Sequence, residues 1–286
     1  MSQTNDLLQQ STHFAFGKNW ASYAELISEP QMAEATEGLK KLVGESVNGA
    51  RVLDIGCGSG LHALCALRLG ATEVVAMDID PDSVRTTQGV LAARVPGQPW
   101  RVIEKSVFDA KPTDMGQFDI VYSWGVLHHT GDMNRAIDCA SALVKPGGRF
   151  VFALYRKTRM CWFWRIEKKW YTTASERAQR AARAVYVRLF RIAICRESDP
   201  ERTFERFTAK YKENNRGMDF FHDVHDWMGG WPYESITPVQ VEATMRRLGF
   251  TMQYSNARTR ISSGIFGSGC DEFVYTRDTK SDELAS

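Results

Sequence analysis

Asp54 and Asp78 each end an apolar run, twenty-four residues apart, and Gly56, Gly58 and Gly60 follow the first at alternate positions. Glycines spaced in this way let a backbone turn sharply and approach a ligand where any side chain would collide. A dinucleotide-binding loop is the rival reading, but it needs G-x-G-x-x-G with a pyrophosphate on the following helix N-terminus. This loop is G-x-G-x-G, and Asp54 in front of it would repel a pyrophosphate. A carboxylate there suits a ligand that carries an ammonium group. Asp78, at the end of Val74-Val75-Ala76-Met77, is arranged to hydrogen-bond the two hydroxyls of an adenosine ribose. The departure from the dinucleotide pattern decides against NAD.

These residues resemble the class I S-adenosylmethionine (SAM)-dependent methyltransferases. Asp54–Gly60 matches the first motif of that family and Asp78 its ribose acid. Lys105-Ser106-Val107-Phe108-Asp109 falls where the family contacts adenine. Phe118–Ser123 matches the fourth strand, and Leu143–Gly148 the turn before the fifth. The resemblance covers residues 36–156 closely and 236–277 more loosely. It implies S-adenosyl-L-methionine as cofactor, held by Asp54, Gly56, Cys57, Gly58, Gly60, Asp78, Ile79, Ser106, Val107, Ser123 and Trp124. In related enzymes an N-terminal segment folds over the site, which adds Trp20 to that set. Lys18 and Asn19 would then reach the methionine carboxylate or a substrate anion. Tyr23, His222 and Tyr233 join them as candidate acceptor contacts.

Methyl transfer from a sulfonium asks mainly for geometry: an in-line nucleophile about 3–3.5 Å from the carbon, shielded from water. A hydroxyl nucleophile gains from a positioned base, and histidine has a suitable unperturbed pKa. His128 and His129 follow the fourth strand, in Trp124-Gly125-Val126-Leu127-His128-His129-Thr130. In the family this loop runs past the methyl group, so His129 is the first candidate base, with His128 beside it. His225 with Asp226, as base and orienter, is the second. His222-Asp223-Val224-His225-Asp226 also has the composition of a metal site. On a helix, however, His222 and Asp226 share a face while His225 points elsewhere, and no further ligand cluster has usable spacing. No metal is expected.

From Arg51 onward strand and helix patterns alternate, which predicts βαβ units and a parallel sheet. Strands are expected near 51–55, 73–78, 101–104, 118–123 and 149–154, with helices near 61–69, 81–93 and 132–144. A helix over 237–248 and strands near 251–257 and 271–277 would close the sheet with an antiparallel pair. The fold class is therefore α/β: a Rossmann-like, seven-stranded mixed sheet with helices on both faces and an inserted α-helical cap. Residues 1–35 form an N-terminal lid segment, with a disordered start over 1–12 and a helix from Pro30 to about Leu42. Residues 36–156 are the SAM-binding core, 157–235 the cap, 236–277 the completion of the core and 278–286 a polar tail. Asp54, Asp78, Ser106 and Ser123 each end a strand, so four loops converge on one crevice.

The cap is the anomalous stretch. Residues 156–196 hold 12 Lys or Arg against Glu167 and Glu176, a balance of +10 in a chain whose net charge is +2. On a helix over 176–194, Arg177, Arg180, Arg183, Arg188 and Arg191 fall on one arc. Val185, Tyr186, Leu189, Phe190, Ile192 and Ala193 take the other side. Cys161-Trp162-Phe163-Trp164 adds aromatics just upstream. Three readings stand side by side: a solvated face, docking to an anionic membrane surface or lipid-linked substrate, and a nucleic-acid patch. Nucleic acid ranks behind lipid, because no RNA-binding module is recognisable elsewhere.

Six scattered cysteines without a CxxC pair, and an N-terminus without a basic-then-apolar pattern, fit a reducing cytoplasm. No apolar run approaches the roughly 20 residues of a membrane span. The expected activity is methyl transfer, to oxygen ahead of nitrogen or carbon, on a small or lipid- or sugar-linked metabolite. An RNA methyltransferase using the basic cap, and a SAM-binding protein without catalysis, are the alternatives.

Overall fold

Val52-Leu53, Val74–Met77 and Ile120–Tyr122 are apolar runs, as strands covered on both faces require. In the computed structural model, which describes residues 16–194, 200–214, 219–257 and 269–279, these runs lie at the centre of one seven-stranded sheet. The strands are β1 (Arg51–Ile55), β2 (Glu73–Asp78), β3 (Trp100–Glu104), β4 (Phe118–Trp124), β5 (Val144–Tyr155), β6 (Phe250–Ser255) and β7 (Cys270–Arg277). Their order is β3-β2-β1-β4-β5-β7-β6; the first five run parallel and β7 is antiparallel to both its neighbours. The order reverses between β1 and β4, so a crevice opens beyond their C-terminal ends.

The helices are α1 (Phe16–Ala24), α2 (Glu29–Val43), α3 (Leu61–Arg68), α4 (Pro81–Arg94), α5 (Pro112–Met115), α6 (Met133–Ala142), α7 (Cys161–Thr173), α8 (Glu176–Ile194), α9 (Pro200–Asn214), α10 (Phe220–Gly229) and α11 (Pro238–Arg247). One core, with Leu39, Leu64 and Leu91, covers one face of the sheet; a second, with Ile137, Val241 and Met245, covers the other. A third apolar cluster, built on Tyr171, Phe220, Val224 and Met228, belongs to the cap. The expected disordered start, residues 195 and 216–218, and the tail from 280 lie outside the described residues.

Two details differ from the sequence reading. The fifth strand begins at Val144 rather than 149, because Val144 already pairs with Phe118 before a register shift brings Arg149 opposite Ile120. The turn residue Gly148 sits between carbonyls, and a Cβ there would lie 2.9–3.0 Å from those of Lys145, Asp119 and Phe118. The apolar side of α8 is also rotated. Tyr186 and Phe190 pack inward with Ala182 and Val187, while Val185, Leu189 and Ile192 are exposed.

The cap leaves the sheet at Arg156, whose guanidinium makes two bonds of 2.8 and 2.6 Å to the buried Asp271 carboxylate of β7. This bidentate pair anchors the start of the insertion to the antiparallel strand. At its far end Thr237 caps α11: its hydroxyl accepts from the Gln240 amide, and the Gln240 side chain accepts from the Thr237 amide.

Candidate active site

The glycine loop turns across the end of β2, with the Gly56 and Cys57 amides donating to the Met77 carbonyl at 2.8 and 3.1 Å. Gly56 has φ +74°, and a Cβ there would stand 2.4 Å from Val126 on the loop after β4. Gly58 has φ +52°, and its Cβ would press at 3.1 Å on the Trp20 ring. Here the backbone alone fits, between two other elements.

Asp78 is tied into that loop. Its two carboxylate oxygens accept from the Gly58 and Asp80 amides, both at 3.0 Å. Burial pushes its pKa up to about 6 against the pull of those amides. Asp80 next to it joins two helices: it caps α4 through the Asp82 amide at 2.8 Å and accepts from the Gly17 amide of α1 at 2.9 Å. That bond brings α1, and with it Trp20, across the glycine loop. Asp54 lies behind the loop, off the cavity wall, with Oδ2 buried and without a partner among the described residues. Burial, and then the nearby Asp78 charge, raise its pKa to about 7.

A cavity of about 920 Å³ runs from this loop into the cap. Gly56, Cys57, Gly58, Asp78, Ile79, Ser106, Val107, Trp20 and Trp124 line one end of it. Ser106 also caps a short turn by accepting from the Phe108 amide at 3.3 Å. The other end is walled by Phe16, Tyr155, Trp164, Tyr186, Phe190, Phe220 and Trp227, with Asp223 and Asp226 among them.

His129 lines the cavity between the two ends. Its Nδ1 lies 2.8 Å from the Pro232 carbonyl oxygen. Only a protonated Nδ1 can donate to a carbonyl, so this bond selects the tautomer with its lone pair on Nε2. The ring is held by Phe16 at 5.2 Å and Tyr155 at 5.3 Å, and a Cβ at Gly230 would meet its Cε1 at 2.5 Å.

Several expected residues are not on the wall. Ser123 is fully buried and donates to the Ile55 carbonyl at 3.3 Å, joining β4 to β1. Gly60 starts α3 behind the loop. His128 is fully buried, accepts from the Tyr155 amide through Nδ1 at 3.3 Å, and is kept neutral by burial. Lys18 faces solvent, and Tyr23 is buried beneath Trp20. The Asn19 amide is spent on the His222 carbonyl at 3.2 Å, which straps α1 to α10. His222 itself bonds Asp219 at 2.9 Å, and the Tyr233 hydroxyl donates to the Cys161 sulfur at 3.4 Å.

His225 does not face the cavity either. Its Nδ1 sits 2.8 Å from the Tyr171 hydroxyl and 2.7 Å from Arg183, whose guanidinium also donates to that hydroxyl at 2.6 Å. A guanidinium can only donate, so His225 is held neutral; burial, then the Arg183 charge, pull its pKa down to about 4. Asp226 does line the cavity, with Oδ1 buried and unpartnered among the described residues. Burial and Asp223 raise its pKa to about 8.

Lys168 was not anticipated. Wholly buried, it donates Nζ to the Trp227 carbonyl, lies 4.0 Å from the Trp227 ring centre and pairs with Glu167 at 3.7 Å. Burial pulls its pKa down. Trp164, Lys168 and Tyr171 form an i, i+4, i+7 stripe, the one signal that could have marked the inner face of α7. No group of three His, Cys, Asp or Glu among the described residues could hold a metal.

A family model described as a methyltransferase domain matches residues 28–236. The chain belongs to this family, the class I SAM-dependent methyltransferases. In this methyltransferase, residues 51–110 bring to the cavity a glycine loop with no room for a side chain at Gly56 and the half-buried carboxylate of Asp78. The ubiquinone biosynthesis O-methyltransferase of Xanthomonas axonopodis pv. citri (strain 306) is 36% identical over 110 residues, 38% of this chain and 45% of that protein. The chain thus spans less than half the length of the curated relatives it matches. An O-methyltransferase family protein from Burkholderia thailandensis superimposes with a TM-score of 0.55 at 14% identity, over 97% of this chain and 68% of that one. Magnesium protoporphyrin IX methyltransferase from Synechocystis PCC 6803, with bound SAH, gives 0.50 at 14% identity, over 86% and 83%. At such identities these structures show the fold.

Proposed function

We propose that this methyltransferase acts on a hydroxyl oxygen of a small, largely apolar acceptor, free or lipid- or sugar-linked, with His129 as the base. The observation that supports the reading is the His129–Pro232 bond, which leaves the lone pair on Nε2 of a residue that lines the cavity. SAM, when bound, supplies a methyl group made electrophilic by its sulfonium. Asp78 and the glycine loop orient it, and α1 with Trp20 is the lid that keeps water out. The aromatic walls of the cap, from Trp164 to Trp227, hold the acceptor's apolar body. As the oxygen bonds to the methyl carbon and the S–CH₃ bond breaks, its proton passes to Nε2 of His129. Oxygen as the acceptor atom also agrees with the name of the partial relative, the ubiquinone biosynthesis O-methyltransferase.

Methyl-labelled SAM offered with a panel of phenols, hydroxylated lipids and glycolipids is the direct test. Turnover is expected on at least one hydroxyl acceptor, and His129→Ala should lower kcat by about 100-fold or more with SAM affinity kept. His225→Ala should leave kcat nearly unchanged. Labelling confined to amines, or to RNA, would replace the oxygen reading. Full activity in His129→Ala would leave positioning alone as the source of rate.

A further inference from the structure

Helices α7 and α8 each have two working faces. Their inner faces wall the cavity through Trp164, Tyr186 and Phe190. Their outer faces carry large apolar side chains at helical spacing: Trp162, Ile166 and Trp170 at i, i+4, i+8, and Val185, Leu189 and Ile192 at i, i+4, i+7. These six are 51–66% exposed. Single exposed apolar residues are ordinary, but two periodic stripes on consecutive helices are not.

The stripes are bordered by cations. Arg165, Lys169, Arg177, Arg180 and Arg188 are all exposed, while the two helices carry two acids, the half-buried Glu167 and the exposed Glu176, the latter 4.0 Å from Arg180. On α8 the arginines and the aliphatic stripe lie side by side on the solvent face rather than on opposite faces. An apolar stripe flanked by cations is the pattern of a helix lying in a bilayer interface: aliphatic groups enter the acyl boundary, tryptophans sit at headgroup level and arginines meet lipid phosphates. A nucleic acid would reward aromatics for stacking but gains nothing from Ile166, Val185, Leu189 and Ile192.

We propose that the outer faces of α7 and α8 dock this methyltransferase on anionic lipid headgroups. Charge complementarity and the aliphatic composition of the stripes select that partner. The docking does not depend on which acceptor is methylated, but it would set the aromatic end of the cavity beside the bilayer.

The test is co-sedimentation of the full chain with phosphatidylcholine vesicles, with and without about one-third phosphatidylglycerol. Binding to the anionic vesicles should be about tenfold or more tighter, and should weaken with salt. Leu189→Glu with Ile192→Glu, or Trp162→Glu with Trp170→Glu, should reduce it by about tenfold or more. Because all four residues face solvent, melting temperature and SAM binding should stay as in the parent, and two independent pairs guard against one failing to fold. Arg177, Arg180 and Arg188 changed together to Gln should remove the preference for phosphatidylglycerol. Absence of vesicle binding by the parent protein, or binding untouched by both Glu pairs, overturns the proposal. So does a concentration-dependent dimer that the Glu pairs dissociate while vesicles bind nothing, which would give the face to a second copy. Salt-dependent binding to an RNA oligomer, with no vesicle binding, would give it to nucleic acid.

Discussion

The cofactor end and the cap end of the cavity are built on opposite principles. At the cofactor end, side chains serve the backbone: Asp78 accepts two amides, Asp80 two more, and the glycines are there because nothing larger fits. At the cap end, side chains serve one another across long intervals of chain. Arg183 meets His225 forty-two residues on, and Lys168 reaches the carbonyl of Trp227 fifty-nine residues on. The first end is rigid by geometry, and the second depends on the balance of buried charges. It follows that an added atom is the sharper probe of the first end and pH the sharper probe of the second, although the raised Asp54 and Asp78 carboxylates make the first end titrate as well.

Gly56→Ala is the sharpest test of the first half of that contrast. The left-handed backbone costs roughly 1–2 kcal/mol for a residue with a Cβ, and the 2.4 Å approach to Val126 adds an overpacking cost of about 1–3 kcal/mol. A loss of about 2–5 kcal/mol is expected in denaturant unfolding, with SAM binding weakened in calorimetry. Val126→Ala alone should be mild, and the double variant should recover only the steric part. Complete recovery would mean that backbone conformation contributes nothing.

The same locality explains what was legible in the sequence. Strand, acid and glycine turn lie within the ten residues 51–60, so Asp54 to Gly60 could be read directly, and Asp78 followed from the next strand end. The parallel sheet was legible in the βαβ alternation, whereas the order of its strands was not. Ser123 lies near the end of β4 with its hydroxyl turned to the Ile55 carbonyl, because a strand-end position does not say which way a side chain points, and Gly60 starts α3 behind the loop. The cap defeated the helical wheel for another reason. Amphipathic phase reads correctly when one face is polar, but α8 carries apolar residues almost all round, and packing against Trp227, Phe207 and Phe220 selected Tyr186 and Phe190 over Leu189. Asn19 and Tyr23 likewise pack on the cap and the core, off the cavity wall, a relation that no spacing along the chain could disclose.

Asp226→Asn probes the charge balance of the cap. Its folded pKa, raised to about 8, lies above that of an unfolded aspartate, so the native state binds more protons between roughly pH 4 and 8. Stability from this group is therefore present at acid pH and lost as pH rises toward 8. The asparagine has no charge to bury, and should melt higher than the parent at pH 8.5, by about 4–8 °C for a gain near 2 kcal/mol. At pH 5 the two should nearly coincide. An equal gain at both values would mean that shape, not ionisation, is at issue.

The smallest effects separate two arginines that one helical wheel placed together. Arg180 is exposed, and its nearest carboxylate, Glu176, is 4.0 Å away, so Arg180→Gln should change stability by less than about 0.5 kcal/mol. Arg183 lies inward, bonded to both Tyr171 and His225, and Arg183→Gln should cost about 1–1.5 kcal/mol at neutral pH. It should also leave a mark on pH dependence. The folded pKa of His225, near 4, is below that of an unfolded histidine, so the unfolded state binds more protons between about pH 4 and 6.5. Stability in the parent consequently falls as pH drops through that window. Part of the depression comes from the Arg183 charge, so in Arg183→Gln the fall should be shallower, while Arg180→Gln should track the parent throughout. Urea unfolding of the three proteins at pH 4.5, 5.5 and 7.5 reads both terms. Identical slopes for Arg183→Gln and the parent would place the whole depression in burial of the ring, and the coupling of arginine to histidine across the cap would reduce to hydrogen bonds alone.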